Sequence, residues 1–206
     1  MADAVIVGKF VGTKGLAAVG ATGTITFLII GFLMGVTTGV TVLTSQKFGA
    51  GRMDEMRKTV GNAAILSAVI AVVMTAVSML GMHRLLVFMH TPEDIFDGAY
   101  GYIMIICAGI FTQVLYNLVS SILRALGNSK TPLYFLILAA GLNIVLDLVF
   151  IIFFHWGAPG AAWATVVSQG VSGLLCLIYI WKAVPELKMK REDWHFDKYI
   201  AGKQIS

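Results

Sequence analysis

Long runs without a single Asp, Glu, Lys, Arg or His constrain this chain more than any other feature. They extend from Gly15 to Gln46, Thr59 to Met82, Gly98 to Leu123, Thr131 to Leu146 and Trp156 to Trp181. A bilayer hydrocarbon core about 30 Å thick needs roughly 20 apolar residues in a helix, so four of the runs can each cross alone. The run from Thr131 continues through Asp147 to Phe154 and makes a fifth span with one charge inside it. The runs are continuously apolar rather than alternating, which favours helices over barrel strands. The expected fold is an all-α integral membrane protein with about five transmembrane helices.

Charge content and placement narrow the function classes. Only 13% of the 206 residues are charged, against about 25% in ordinary soluble domains. The net charge of +4 could suggest nucleic acid, but the basic residues sit in short breaks between apolar runs. That is a juxtamembrane pattern, so lipids and not nucleic acid are the expected partners. Cys107 and Cys176 lie inside apolar runs, as small packing residues do. The signatures of zinc proteases, serine hydrolases, P-loop enzymes and cysteine–histidine metal sites are missing. One intramembrane aspartate cannot form an aspartic protease dyad. Neither an enzyme nor a cofactor is expected, and no metal beyond a possible Na⁺ at Asp147.

The distribution of Lys and Arg sets an orientation. Lys47, Arg52, Arg57 and Lys58 fill one break, Arg84 stands alone in the next, and Arg124 and Lys130 share the third. The fourth has none, and the tail carries Lys182, Lys188, Lys190, Arg191, Lys198 and Lys203. Rich and poor breaks alternate, so the 47–58 loop, the 124–130 loop and the C-terminal tail are expected on the cytoplasmic side of a plasma (inner) membrane. Residues 1–181 form the expected transmembrane lobe and residues 182–206 a basic cytoplasmic tail or linker. Met1–Thr13 reads as the last turns of a helix followed by a short external loop, as if the chain began inside a first helix.

Local punctuation agrees. Gly127 suits the close of the third span as a glycine C-cap. Thr131-Pro132 suits the opening of the fourth, with threonine as N-cap and proline at the first helical position. His155 through Gly160 reads as a turn with interfacial aromatics.

Asp147 is the sharpest chemical signal. A carboxylate within a span costs on the order of 2.5–3.5 kcal/mol on insertion scales and commonly marks an ion or proton path. Asn143 lies four residues earlier on the same helix face. The pair suits a cation site or a proton-binding carboxyl steadied by an amide; the alternative is interhelical hydrogen bonding. Tyr102, Gln113 and Asn117, with Thr165, Ser168 and Gln169, are further polar positions that could line one cavity with it. Gly31, Gly35 and Gly39 recur every four residues, a spacing that lets helix backbones approach closely.

Several stretches together resemble the amino-terminal half of a multidrug and toxic compound extrusion (MATE) transporter of the bacterial branch. These are Asp3-Ala-Val-Ile-Val-Gly, Leu16-Ala-Ala-Val-Gly and Gln46-Lys-Phe-Gly-Ala-Gly, followed by Arg124-Ala-Leu-Gly-Asn-Ser-Lys-Thr-Pro, Leu142-Asn-Ile-Val-Leu-Asp and Gly160-Ala-Ala-Trp-Ala-Thr. They occur in the family's order and span nearly the whole chain. The resemblance implies one lobe of a twelve-helix antiporter that exports small organic, often cationic, drugs in exchange for Na⁺ or H⁺. The spans become helices two to six of the first lobe, with Asp3 near the end of helix one. It implies a cation site at Asp147, Asn143 and Asp3, with Tyr102, Asn117 and Thr165 lining the same lobe. It also implies a partner, either a second lobe or another half-transporter. A lipid-linked-sugar flippase lobe and a non-transporting membrane scaffold are the rival readings.

Overall fold

The computed structural model describes residues 2–187, 193–194 and 197–205. The helices are α1 (Ala2–Phe10), α2 (Thr13–Gly49), α3 (Met53–Phe88), α4 (Glu93–Ala108), α5 (Ile110–Ala125), α6 (Lys130–Leu148), α7 (Gly157–Ala183) and α8 (Lys198–Ile205). No strand occurs among the described residues. Four helical stretches are long and apolar enough to cross a membrane: α2, α3, α6 with its extension, and α7. The bent pair α4–α5 makes a fifth. At 37 residues, α2 is ~55 Å long at 1.5 Å per residue, so it projects well beyond a ~30 Å hydrocarbon core.

The outer surface explains why this bundle belongs in lipid. Phe27, Leu80 and Phe153 are 75%, 84% and 78% exposed, values that water would penalise at about 25 cal/mol per Å² of apolar surface. Inside, Ile29, Leu33, Leu86, Ile103 and Ile110 pack α2, α3, α4 and α5 into one apolar core. A second core joins Val7 of α1 to Ala99, Tyr102, Ala158 and Ala161.

The structure corrects three local expectations. The third span is two helices meeting at a 45° bend around Gly109. A Cβ on Gly109 would lie 2.2 Å from Val166 Cγ2, so glycine is what lets α7 press into the joint. The fourth span opens at Lys130, not at Thr131. Ser129 at its N-cap makes no side-chain cap bond, and Asn128 serves the helix start instead, its Oδ1 accepting from the Thr131 backbone N–H at 3.1 Å. The expected 155–160 turn is shorter, because Gly157 already begins α7 and Pro159 falls in its first turn. Ahead of it, Val149–Phe153 widens the end of α6 into a π turn.

Gly127 does close α5 as expected. Its φ is +81°, its N–H donates to the Arg124 carbonyl at 3.0 Å, and the Asn128 N–H donates to Leu123 at 2.9 Å, the two bonds of a Schellman ending. The α2–α3 loop is fastened by Lys47 and Arg52, both paired with Glu55. Of the three spaced glycines in α2, only Gly39 meets another backbone. The Gln204 carbonyl oxygen of α8 would lie 1.9 Å from a Cβ there, while Gly31 and Gly35 face open space.

α8 folds back against α2 and α3 at the end of the bundle that carries the basic loops. Gln204 is 1% exposed and Asn62 fully buried. Asn62 Nδ2 donates to Gln204 Oε1 at 3.0 Å, Gln204 Nε2 donates to the Thr59 carbonyl at 3.0 Å, and the Asp197 backbone N–H donates to Asn62 Oδ1 at 3.0 Å. Leu187 enters the core formed by Val40, Met56, Val60 and Ile122. Lys188, Lys190 and Arg191 of the expected basic tail lie outside the described residues.

Candidate cation site

Three helices bring the sequence-derived candidates together. α1 holds Asp3 in its first turn, α6 carries Asn143 and Asp147 one turn apart, and α7 carries Thr165. Thr165 Oγ1 donates to Asp3 Oδ2 at 2.9 Å, and Asn143 Nδ2 donates to Thr165 Oγ1 at 3.4 Å. The threonine hydroxyl thereby links the amide of one helix to the carboxylate of another, the Thr165–Asp3 bond alone joining residues 162 apart.

Asp147 stands apart from this chain of bonds. It is 0% exposed, and neither carboxylate oxygen has a hydrogen-bond partner among the described residues. α1, which carries Asp3, packs against α6, which carries Asp147. A buried, unpaired carboxylate beside a second acid is costly: removal from water costs several kcal/mol unless a cation, a proton or donors compensate it. Two carboxyls and a hydroxyl on neighbouring helices form an oxygen-rich neighbourhood that suits a hard monovalent cation or a shared proton. Among the described residues, no group of three His, Cys, Asp or Glu side chains gathers in a metal-holding cluster.

A cavity of about 270 Å³ opens beside Asp3, lined by Tyr102, Thr165, Thr26, Thr112 and Gln113 among others, while Asp147 and Asn143 are not among its lining residues. Thr26 and Thr112 escape a reading of the sequence because their hydroxyls look like ordinary helix-interior threonines. Thr26 indeed donates to the Thr22 carbonyl at 3.0 Å. Their one sequence signal is their place in otherwise apolar runs. Asn117 lines a different cavity of about 460 Å³ with Gln113, Gln169 and Arg124, and its Nδ2 donates to the Gln113 carbonyl at 2.9 Å. Gln113 borders both cavities. Ser168 returns its hydroxyl to the Ala164 carbonyl at 2.7 Å.

A helical bundle with an apolar outer surface around a buried Asp147 and a half-buried Asp3 has the build of a multi-pass membrane protein. The family model MatE matches residues 1–149. The chain belongs to this family, the MATE multidrug transporters. It is 33% identical over 180 residues to the probable multidrug resistance protein YpnP of Bacillus subtilis, covering 87% of this chain and 40% of that protein. It superimposes with a TM-score of 0.93 and 26% identity on the inward-facing conformation of a multidrug resistance MATE family transporter of the MOP superfamily, covering 99% of this chain and 46% of that one. The outward-facing conformation of such a transporter gives 0.92 and 27%, covering 99% and 45%. The chain thus spans less than half the length of these relatives.

Proposed function

We propose that this chain is the cation-coupling lobe of a multidrug antiporter, in which Asp147 exchanges Na⁺ or H⁺ while drug moves the other way. The observation that carries the reading is Asp147 itself, fully buried with neither oxygen partnered among the described residues. Such a group resolves its own instability by taking up a cation or a proton. Asp3 and Thr165 lie near enough to share the load, and Asn143 anchors Thr165. With the site charged, Asp147 and Asp3 repel one another; with a cation or proton between them the repulsion is removed and α1 and α6 can close together. α1 packs on α2, α6 and α7, so a change at Asp3 reaches the helices that border both polar cavities.

The near-identical superposition on inward- and outward-facing relatives supports a lobe that keeps its internal fold while moving as a unit against a partner lobe, the geometry of alternating access by rocking. In this reading the 47–58 loop, the 124–130 loop and the tail face the cytoplasm of a plasma membrane. Residues beyond Trp181 lead toward the partner lobe, and the chain has no enzymatic role. The test uses a complete transporter carrying this lobe, with export driven by an imposed Na⁺ or pH gradient and expression matched. Asp147→Asn keeps size and hydrogen-bonding capacity but removes the titratable charge, so coupled export should fall to background while the protein still inserts. Wild-type rates would refute the reading.

A further inference from the structure

The chain that leaves α7 does not run free. Three fastenings return it to the bundle, and α3 takes part in all of them. Leu187, in the turn just after α7, is 7% exposed and packs among Val40 of α2, Met56 and Val60 of α3 and Ile122 of α5. Asp193, 4% exposed, has its Oδ2 3.7 Å from Arg57 Nε on α3. Gln204 of α8 is held by the Asn62 side chain and the Thr59 carbonyl, each at 3.0 Å. α2 closes the seat from the other side, because the Gln204 carbonyl oxygen occupies the space that a Cβ on Gly39 would need.

This seat is built to stay filled. Asn62 is fully buried, and it lies ~14 Å along α3 from Met53, its first residue. It falls inside the charge-free run that begins at Thr59. Both ends of its amide are spent on the returning chain, Oδ1 on the Asp197 N–H and Nδ2 on Gln204 Oε1. Departure of α8 would leave that amide unpaired beside Met56, Val60 and Val40, and an orphaned buried polar group is penalised more heavily than a made bond is rewarded. An element that let go in every transport cycle would need its polar groups served in both states. Asn62 is served in one.

The matches to relatives point the same way. They cover 99% of the 206 residues on the inward-facing and on the outward-facing conformation alike. The remaining 1% of 206 is about two residues, so the eight residues of α8 fall inside the matched region in both. We infer that α8 is a permanent part of this lobe, and that the pivot on which a partner lobe swings lies beyond Ile205 and not in the chain between Ala183 and Lys198. The inference rests on the reading of this chain as a transporter lobe, and it adds where the motion is taken up. It also gives α8 a task. Thr37 and Thr41 of α2 line the cavity of about 460 Å³, and Gly39 between them abuts α8, so the seated helix fixes the segment of α2 that forms that wall.

The test uses a complete transporter carrying this lobe, in lipid nanodiscs. Spin labels are placed at Gly202→Cys on α8, where a Cβ meets open space, and at Glu93→Cys, exposed at the opposite end of the bundle. Cys107 and Cys176 are buried and stay silent. The electron–electron distance between the labels should be single and narrow, and the same in acid and alkaline buffer with and without Na⁺. Asn62→Ala and Gly39→Ala should each broaden or lengthen it. A second readout joins α8 to α2 covalently: Leu43 and Ile200 border one cavity of about 240 Å³, and as cysteines they are bridged with a bifunctional methanethiosulfonate. Ethidium export driven by an imposed Na⁺ or pH gradient should run at the rate of the unbridged protein. A wild-type distance that is broad or shifts with conditions overturns the inference. So does export that stops on bridging while the two single-cysteine proteins, treated with the same reagent, continue. A distance indifferent to both Asn62→Ala and Gly39→Ala overturns the seat. Absence of gradient-driven export from the unbridged protein sinks the antiport reading alone, since the label distance and its change in Asn62→Ala still decide whether α8 is fixed.

Discussion

Asn62→Ala should release α8 from the bundle. In the folded chain the Asn62 amide uses both ends, donating to Gln204 Oε1 and accepting from the Asp197 backbone N–H, each at 3.0 Å. Truncation to alanine leaves Gln204 Oε1 and the Asp197 N–H without these partners in a site where Gln204 is only 1% exposed. A buried polar group left unpaired costs about 1–3 kcal/mol. The Asp197 N–H belongs to an exposed residue that water can serve, so the loss of the Gln204 Oε1 partner dominates and should cost about 1–3 kcal/mol. The loss falls on local opening of α8 rather than on the whole bundle, because α2 and α3 keep their own packing at Met56, Val60 and Val40. The assay is amide hydrogen exchange of α8. Its protected amides should exchange about 5- to 140-fold faster in Asn62→Ala, at 1.4 kcal/mol per factor of ten, with α3 amides beyond Ser67 unchanged. Asn62→Gln keeps the amide but misplaces it, and should fall between. Equal exchange of α8 in wild type and Asn62→Ala would refute the clasp.

Three further outcomes follow from single contacts. Gly109→Ala should destabilise the bundle by about 1–3 kcal/mol through overpacking, read as a lower thermal midpoint, and Val166→Ala in the same chain should recover most of it because Val166 occupies the space the new Cβ needs. In a complete transporter carrying this lobe, Thr165→Val should weaken the apparent affinity for the coupling cation about tenfold, with Thr165→Ser rescuing it, since only the hydroxyl bonds Asp3; an unchanged affinity would remove Thr165 from the site. Cysteines placed at Arg52 and Glu93 should label from opposite sides of intact cells, Glu93→Cys from outside and Arg52→Cys only after permeabilisation, against a silent background because Cys107 and Cys176 are buried.

Charge-free runs made the spans legible, because burial of charge in lipid is penalised whatever the tertiary structure. Asp147 and Asn143 stood out as candidates for the same reason, Thr165 as a polar residue in an apolar run, and Asp3 through the family resemblance. What escaped depends on contacts between distant residues. The bend at Gly109 interrupts an apolar run that is continuous in sequence, and only Val166 on another helix makes glycine necessary there. The Asn62–Gln204 bond joins residues 142 apart, and neither carries a local signal. Asn117 and Tyr102 both looked like cavity residues, but nothing in their spacing told that the α4–α5 bend would send them to different cavities. Thr131 looked like the cap of α6, yet Asn128 takes the role because Gly127 turns the chain back over the helix start.

Cation uptake by the purified chain, measured in detergent across pH with and without Na⁺, tests the central claim most directly. One site should be found, seen either as saturable ²²Na⁺ binding or as a proton that titrates from a buried carboxyl, detected by its protonated C=O stretch in the infrared. It should vanish in Asp147→Asn and survive in Asp97→Asn, an exposed acid on α4. A chain that binds neither ion, or a site that persists unchanged in Asp147→Asn, would contradict the account.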